Sequence, residues 1–98
     1  MEEEQKQGKE TVLITGITGY IGSHVGKQLL ERYKYNIRAT VRSLKNLAKL
    51  EPLRKAYGEV LFSQIEFVEA DLMNSEALTQ AVHGCDYIIH LANPLPGT

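Results

Sequence analysis

The chain has 98 residues, which is enough for one small domain and excludes two. Hydrophobic residues make up 43% and charged residues 23%, as in a folded globular protein, so disordered, collagen-like and coiled-coil classes are excluded. The formal net charge of −1 conceals a division, because residues 27–55 carry nine Lys and Arg against two Glu, whereas residues 56–98 carry six acids and no Lys or Arg.

Residues 1–10 contain four Glu and no apolar stretch, and we expect them to form a disordered acidic tail. A secretory signal needs an apolar segment and a mitochondrial transit peptide avoids acids, so neither is expected. The longest apolar runs are far shorter than the roughly 20 residues of a membrane-spanning helix. These features predict a cytoplasmic protein with no membrane partner.

The first elements are a strand, a glycine loop and a helix. Residues 11–15 (TVLIT) form a short β-branched apolar run, which is typical of a strand buried on both faces. In residues 20–33, apolar or small side chains recur at steps of three and four, which indicates a helix with one buried stripe. Residues 36–41 (NIRATV) have the composition of a second strand.

A second helix is predicted in the basic segment. Ser43 is a candidate cap at its start, and leucines recur along it at helical spacing. Pro52 lacks a backbone donor and should kink or split this helix near Glu51. Gly58 closes the segment.

The remaining elements are a strand, a helix and a strand. Residues 65–70 (IEFVEA) alternate apolar and acidic side chains and predict the third strand. Asn74 or Ser75 caps a short helix that Gly84 ends, and residues 86–91 (DYIIHL) follow as the fourth strand. The order βαβαβαβ predicts an α/β protein, the first portion of a doubly wound Rossmann fold, with a parallel sheet in the order 3-2-1-4 and helices on both faces.

The glycine loop TGITGYIG lies directly between the first strand and its helix. It contains Gly16, Gly19 and Gly22. In such a turn one glycine reverses the chain, one lets backbone approach a pyrophosphate and one lets the helix pack closely on the strand. The helix N-terminus offers free N–H groups to the phosphates. Dinucleotide binding is therefore predicted, with an ordinary tight turn as the alternative.

The residues of the same segment exclude two other kinds of phosphate-binding loop. A P-loop would need Gly where Ile21 stands and a hydroxyl where Gln28 stands, although Gly26 and Lys27 supply its GK pair. A kinase glycine loop lies between two strands, whereas here a helix follows.

The spacing G-x-x-G-x-x-G resembles the fingerprint of the extended short-chain dehydrogenase/reductase family. IRATVRS after the second strand, ADL after the third and CDYIIHLANP at the fourth are similar to the dihydroflavonol reductase and cinnamoyl-CoA reductase branch. The resemblance covers residues 11–96 and only the first part of that family's fold. It implies that residues 11–98 form a partial NAD(P)-binding Rossmann domain of an NADP-dependent reductase acting on a carbonyl substrate.

The end of the second strand indicates which cofactor is bound. An NAD site places an acid there for the ribose hydroxyls, whereas this chain has Arg42 and no acid before Glu51. A guanidinium pairs with the 2′-phosphate of NADP in a forked geometry, so NADP is favoured over NAD. In the resembled reductases a second basic residue assists; by register that place is Ala48, with Lys45 and Lys49 close by, and Lys49 is the candidate. A surface charge at a strand end is the alternative for Arg42, and we expect Arg38 to be solvated or paired with a helix.

The resemblance implies further cofactor contacts. Asp71 and Leu72 would flank the adenine, although Asp also favours turns and helix entries. Leu91, Ala92 and Pro94 would line the nicotinamide-ribose side. The full set of candidate cofactor-binding residues is Gly16, Thr18, Gly19, Tyr20, Ile21, Gly22, Arg42, Lys49, Asp71, Leu72, Leu91, Ala92 and Pro94.

No catalytic residue and no metal site is expected in the chain. The family uses a Ser or Thr and a Tyr-x-x-x-Lys pair, and none of the five tyrosines has Lys four residues later. The chain by itself is therefore expected to be inactive. Cys85 cannot form an internal disulfide, the three His lack the spacing of zinc ligands, and Cys85 and His90 are expected in the core or in turns.

Three functions stay open at this point. The chain is the first part of an NADP-dependent reductase, a short non-catalytic relative that binds nucleotide or serves as a structural subunit, or a nucleic-acid module using residues 27–55, which is the least favoured. The fourth strand, residues 86–91, is apolar and lacks Lys or Pro. Its outer edge is expected to pair with the remainder of the same polypeptide or with another chain.

Overall fold

The computed structural model describes residues 9–45, 47–71 and 73–91, and only the backbone of Leu47. Nine elements follow one another, and we number the strands and α-helices in chain order. They are β1 (Glu10–Thr15), α1 (Tyr20–Arg32), β2 (Tyr35–Val41), a 3₁₀ turn (Leu47–Lys49), α2 (Glu51–Tyr57), α3 (Glu59–Ser63), β3 (Ile65–Glu69), α4 (Ser75–Val82) and β4 (Tyr87–His90).

The four strands form one parallel sheet in the order β3-β2-β1-β4, which confirms the predicted topology. In the register of the sheet, Val12 of β1 lies between Ile37 of β2 and Tyr87 of β4. Parallel strands need crossover connections, and here helices supply each of them. All carboxyl ends of the strands therefore meet at one edge, which we call the carboxyl edge.

The main core lies on one face of the sheet. It joins strand residues to α1 and α2, and its members are Val12, Ile14, Ile17, Leu30, Ile37, Ala39, Leu53, Tyr57 and Ile65. Successive strand side chains point to opposite faces, so Arg38 lies on the other face from Ile37. Its guanidinium reaches the carbonyl of Ala81 in α4. Helices therefore flank both faces, as the pattern predicts.

Arg38 is not solvated but is paired with a helix, which confirms the second of the two places expected for it. Its side chain is only 18% exposed and its Nε donates to Glu66 at 3.1 Å. Its Nη1 donates to the carbonyl oxygens of Ala81 at 2.8 Å and His83 at 2.7 Å, and to the sulfur of Cys85 at 3.4 Å. The last turn of α4 contains no basic residue of its own, so Arg38 caps this helix from β2.

The predicted second helix is wrong in its start and its length. The Ser43 hydroxyl accepts from the N–H of Lys45, two residues on, which makes a local turn instead of a helix cap. Pro52 lies in the first turn of α2, where its missing N–H has no intrahelical partner to lose. The segment is split before Glu51, between the 3₁₀ turn and α2, as expected, and α2 is not kinked. Gly58, at φ 84°, ends α2, and the short α3 that follows is not in the prediction.

The other boundaries differ from the prediction by one or two residues. Tyr33 follows α1 in the left-handed region, at φ 56°, and its N–H donates to the Leu30 carbonyl. The Asn74 side chain accepts from the N–H groups of Glu76 and Ala77, which confirms it as the cap of α4. Backbone hydrogen bonds continue the sheet pairing one residue beyond β3 and one residue on each side of β4, so the predicted bounds 65–70 and 86–91 include these flanking bonded residues.

Candidate functional site

The predicted cofactor residues come together at the carboxyl edge. Among the described candidates, the glycine loop, Arg42, Asp71 and Leu91 each follow a strand end, so they all lie along one edge, whereas Lys49 lies farther along the chain in the 3₁₀ turn. The chain passes from β1 to β2 and β3 on one side of β1, and then crosses from β3 to β4 on the other side of β1. In doubly wound sheets this switch point leaves a crevice in which ligands bind.

The glycine loop, residues 16–22, is a tight turn closed by its own backbone. Gly16 has φ 84°, a conformation that side chains disfavour, and its carbonyl accepts from the N–H of Gly19 at 3.0 Å. A Cβ on Gly22 would overlap the Gly16 carbonyl oxygen. The loop and the first turn of α1 can approach this closely only because position 22 has no side chain.

The N-terminus of α1 carries no cap of its own. Gly19 occupies the cap position and has no side chain with which to cap the first N–H groups, and the first turn contains no acid. The N–H groups of Tyr20, Ile21 and Gly22 precede the first intrahelical donor, which is the N–H of Ser23 bonding to Gly19. Three donors and the positive end of a 13-residue helix thus converge on the loop. This cradle fits the pyrophosphate of a dinucleotide.

Large side chains surround the entrance to this cradle. Tyr20 is 81% exposed and Ile21 is 62% exposed, while Thr18 is exposed in the turn before them. The ring of His24 lies 4.6 Å from that of Tyr20, and its Nδ1 donates to the Tyr20 carbonyl at 2.9 Å. The two rings therefore support each other on the first turns of α1.

Tyr57 of α2 packs against α1 and bonds to its backbone, a contact that sequence reasoning missed. Its hydroxyl donates to the Ser23 carbonyl at 2.6 Å, and a Cβ on Gly26 would lie only 2.5 Å from the same hydroxyl oxygen and 3.0 Å from Ile17. Burial raises the pKa of Tyr57 to about 12, so it stays a donor at physiological pH. The signal in the sequence is a second helical glycine, four residues after Gly22.

Arg42 is exposed directly after β2, where the sequence predicts it. Within residues 9–45, 47–71 and 73–91 no carboxylate pairs with it. Lys45 and Lys49 are exposed along the following turn, so the structure keeps both as candidates for the second basic contact. β2 ends without an acid, but Glu69 lies beside Val41 at the end of β3, and its Oε1 accepts from the N–H of Leu44 at 3.2 Å. Sequence reasoning missed this carboxylate because only the strand register places it there.

Asp71 organises the entry to α4. Its Oδ1 accepts from the N–H of Met73 at 2.9 Å and its carbonyl accepts from that of Asn74 at 2.8 Å, so the turn role considered for it is present. Asp71 is exposed at the carboxyl edge, and its contact with adenine stays a prediction. Leu72, the other adenine candidate, lies outside the described residues.

The end of β4 is tied to the end of β1 by a buried hydroxyl. Thr15 is fully buried, and its Oγ1 accepts from the N–H of Leu91 at 3.0 Å and lies 2.9 Å from Nδ1 of His90. His90 is exposed on a strand, so its expected place in the core or a turn is wrong, whereas Cys85 is half-buried in a turn. Leu91 is partly exposed at the crevice, and Ala92 and Pro94 lie outside the described residues.

The basic segment is partly neutralised by ion pairs. Arg38 pairs with Glu66, and Arg54 pairs with both Glu51 and Glu59. These contacts remove two of the nine cations that a nucleic-acid surface would use. In the described part of the chain, no cluster of His, Cys, Asp and Glu could hold a metal ion, and no helix is long and apolar enough to cross a membrane.

Residues 13–94 match the family model for GDP-mannose 4,6 dehydratase. The chain belongs to this family. Dihydroflavonol 4-reductase of Zea mays is 36% identical over 87 residues, which are 89% of this chain and 24% of that protein. Cinnamoyl-CoA reductase 1 of Arabidopsis thaliana is 40% identical over 86 residues, which are 88% of this chain and 24% of that protein.

The solved structure of an isoflavone reductase superposes on this member of the GDP-mannose 4,6 dehydratase family with a TM-score of 0.69 and 28% identity. The superposition covers 89% of this chain and 28% of that one. The chain thus spans about a quarter of the length of its reductase relatives. These comparisons confirm the resemblance to dihydroflavonol and cinnamoyl-CoA reductases and the Rossmann fold.

Proposed function

We propose that this chain is the dinucleotide-binding portion of an NADP-dependent reductase acting on a carbonyl substrate. The observation that carries the proposal is the uncapped, acid-free N-terminus of α1, set against the glycine loop at the carboxyl edge of a parallel sheet. The reductase relatives support the class of reaction. When bound, NADPH supplies the hydride that reduces the carbonyl carbon.

The glycine loop and α1 bind the pyrophosphate in this proposal. The N–H groups of Tyr20 and Ile21 donate to phosphate oxygens, because no carbonyl of the helix is within their reach. The hydroxyl of Thr18 is exposed beside them and adds a side-chain donor. The three loop glycines keep side chains out of the volume that the phosphates fill.

The 2′-phosphate binds the basic loop after β2. Arg42 supplies a forked pair of donors, and its guanidinium is not committed to a described carboxylate. Lys49 adds a second positive charge from the 3₁₀ turn, where it is exposed. NADP therefore binds more tightly than NAD.

The rest of the cofactor follows the resemblance to the reductases. Asp71 accepts from the exocyclic amine of adenine while Leu72 packs on the ring. Leu91, Ala92 and Pro94 line the nicotinamide ribose, on the β4 side of the crevice. In this proposal residues 11–98 act as part of one Rossmann domain, the acidic residues 1–10 take no part in binding, and the protein works in the cytoplasm.

A second candidate is a non-catalytic relative that binds nucleotide or serves as a structural subunit. It is favoured by one observation, because none of the five tyrosines is followed by Lys at the fourth position. The chain thus carries groups that bind the cofactor without the pair that moves the proton. In both candidates the 98 residues alone do not reduce a carbonyl.

The outer edge of β4 is proposed to pair with a further strand, from the remainder of the same polypeptide or from another chain. Tyr87 and Ile88 are each about half exposed, at 52% and 53%, and Leu91 is 39% exposed. β4 pairs only with β1 among the described strands, so its other edge offers unpaired backbone groups.

Calorimetric titration with NADPH and NADH tests the cofactor assignment. Wild-type protein should bind NADPH more tightly, and Arg42→Ala should weaken NADPH binding by about 1.5–3 kcal/mol, the usual cost of losing a hydrogen-bonded charge. NADH binding should not change. Arg32→Ala is the matched control, because Arg32 is an exposed arginine at the opposite end of α1.

Equal affinities for the two cofactors, or an unchanged NADPH affinity in Arg42→Ala, would contradict the NADP assignment. Turnover distinguishes the two candidate functions. If the full-length protein oxidises NADPH in the presence of an aromatic carbonyl compound, the reductase is supported. If it binds NADPH tightly but oxidises none of it with any such compound, the non-catalytic relative is supported.

A further inference from the structure

The loop that carries Arg42 is held by a carboxylate from a different strand. β2 and β3 run side by side, and Val41 and Glu69 are partners in the last position of their register. The chain leaves β2 at Val41, whose carbonyl still accepts from the N–H of Ala70 at 2.9 Å. The strand ends therefore place the Glu69 side chain beside the start of the loop.

Two side chains bond to the backbone of this loop. The Glu69 Oε1 accepts from the N–H of Leu44 at 3.2 Å, and the Ser43 hydroxyl accepts from the N–H of Lys45 at 3.2 Å. Both N–H groups lie within three residues of Arg42. The Glu69 bond connects the loop to the sheet, whereas the Ser43 bond lies within the loop.

Glu69 could pair with Arg42 and neutralise it, but no such ion pair forms among the described residues. The carboxylate is engaged by a backbone donor, and the guanidinium stays exposed. A loop fixed before the ligand arrives loses less conformational freedom on binding, so its contacts contribute more to affinity.

We propose that Glu69 is a positioning residue for NADP recognition, which holds the loop of residues 42–45 so that Arg42 meets the 2′-phosphate. This inference rests on the proposed function, because it concerns the site of that phosphate. Glu69 acts through its hydrogen bond to Leu44 and does not contact the cofactor. Its negative charge is not needed, only its ability to accept a hydrogen bond.

Two substitutions separate the hydrogen bond from the charge. Glu69→Gln keeps an oxygen acceptor on a side chain of the same length, while Glu69→Ala removes it. Glu76→Ala is the control for losing one negative charge, because Glu76 is exposed on the first turn of α4, away from the loop of residues 42–45. The full chain is titrated with NADPH and NADH at one ionic strength, since salt screens phosphate contacts.

The ratio of the two dissociation constants is the readout, because a general loss of stability affects both cofactors alike. Glu69→Ala should reduce the preference for NADPH about fivefold, the effect of one lost hydrogen bond. Glu69→Gln and Glu76→Ala should stay close to wild type. Without cofactor, the Leu44 amide should exchange faster in Glu69→Ala and keep its protection in Glu69→Gln.

Three results would overturn the inference and leave the proposed function standing: an unchanged ratio in Glu69→Ala, equal losses in the Gln and Ala variants, or a Gln variant with a several-fold stronger preference for NADPH. The last result would mean that the carboxylate acts by repelling the phosphate. A wild-type protein that binds neither cofactor would overturn the proposed function and this inference with it.

Discussion

A side chain at position 22 would meet backbone instead of another side chain. Its Cβ would overlap the Gly16 carbonyl oxygen and lie 2.7 Å from the Gly16 carbonyl carbon, so either the loop or the start of α1 would have to move. We expect Gly22→Ala to lower the free energy of unfolding by about 2 kcal/mol or more, measured by urea denaturation. A Cβ on Gly19 would lie 3.4 Å from the same oxygen, an ordinary contact.

Gly19→Ala is therefore the matched control, with an expected change in unfolding free energy below about 0.5 kcal/mol. A Gly22→Ala variant as stable as Gly19→Ala would mean that the close approach of loop and helix is not required.

Tyr57 makes the free energy of unfolding depend on pH in the alkaline range. Its pKa is raised from 10.0 to about 12, chiefly by burial, so the folded state binds the phenolic proton more tightly than the unfolded state. The stability that the folded state gains from this proton is fully present below pH 10 and is lost as the pH rises toward 12. Urea unfolding as a function of pH should show a steeper decline for wild type than for Tyr57→Phe, which has no proton to lose.

Tyr57→Phe also removes the hydrogen bond to the Ser23 carbonyl and should cost about 1 kcal/mol at neutral pH. Tyr33→Phe is the control, since Tyr33 is 56% exposed. Parallel stability profiles of wild type and Tyr57→Phe between pH 9 and 12 would argue against a protonated, hydrogen-bonded Tyr57.

At the scale of an element, α4 is stabilised by a residue from another part of the chain. This helix has eight residues and no basic residue in its last turn. The Arg38 guanidinium stabilises its end by donating to the carbonyls of Ala81 and His83. Arg38→Met keeps an aliphatic side chain of similar length and removes the donors. We expect it to lower the unfolding free energy by about 1.5–3 kcal/mol and to speed amide exchange in α4.

Arg54→Met removes an arginine whose ion pairs with Glu51 and Glu59 are more exposed, so it should lower the unfolding free energy less than Arg38→Met does. If both variants lose the same unfolding free energy, or if the amides of α4 exchange no faster in Arg38→Met than in wild type, Arg38 does not cap this helix.

For the whole molecule, the sheet is covered by helices on both faces but ends in an open strand. β4 exposes Tyr87 and Ile88, and it has no partner beyond β1 among the described strands. Such an edge pairs readily with another chain, and a small core offsets little exposed apolar surface. We expect the isolated 98-residue chain to associate through residues 86–91, measured by sedimentation.

Ile88→Lys places a charge on this edge and should reduce association, whereas Val60→Lys, at an exposed apolar position of α3, should leave it unchanged. A wild-type chain that sediments as a stable monomer, with freely exchanging amides along one edge of residues 86–91, would refute this expectation.

Much of the fold follows from local patterns in the sequence. The buried strand at residues 11–15, the glycine loop and the stripe of α1 determine a strand–turn–helix unit, because each depends on residues close along the chain. Right-handed crossovers restrict how the strands can be arranged, and the Rossmann pattern of the glycine loop selects the order 3-2-1-4 among the arrangements that remain. The same features predict where the candidate site lies, since the carboxyl ends of parallel strands meet at one edge.

Tertiary structure decided the contacts between segments far apart in sequence. Whether Ser43 or Pro52 begins the second helix depends on how the chain leaves the sheet, and local propensity allows both. In the sequence, nothing marks the partners of Arg38, Tyr57 and Glu69, although a helix is one of the two places expected for Arg38. Each acquires its partner, on α4, on α1 or in the loop after β2, only when strand register and helix packing bring together atoms from different elements.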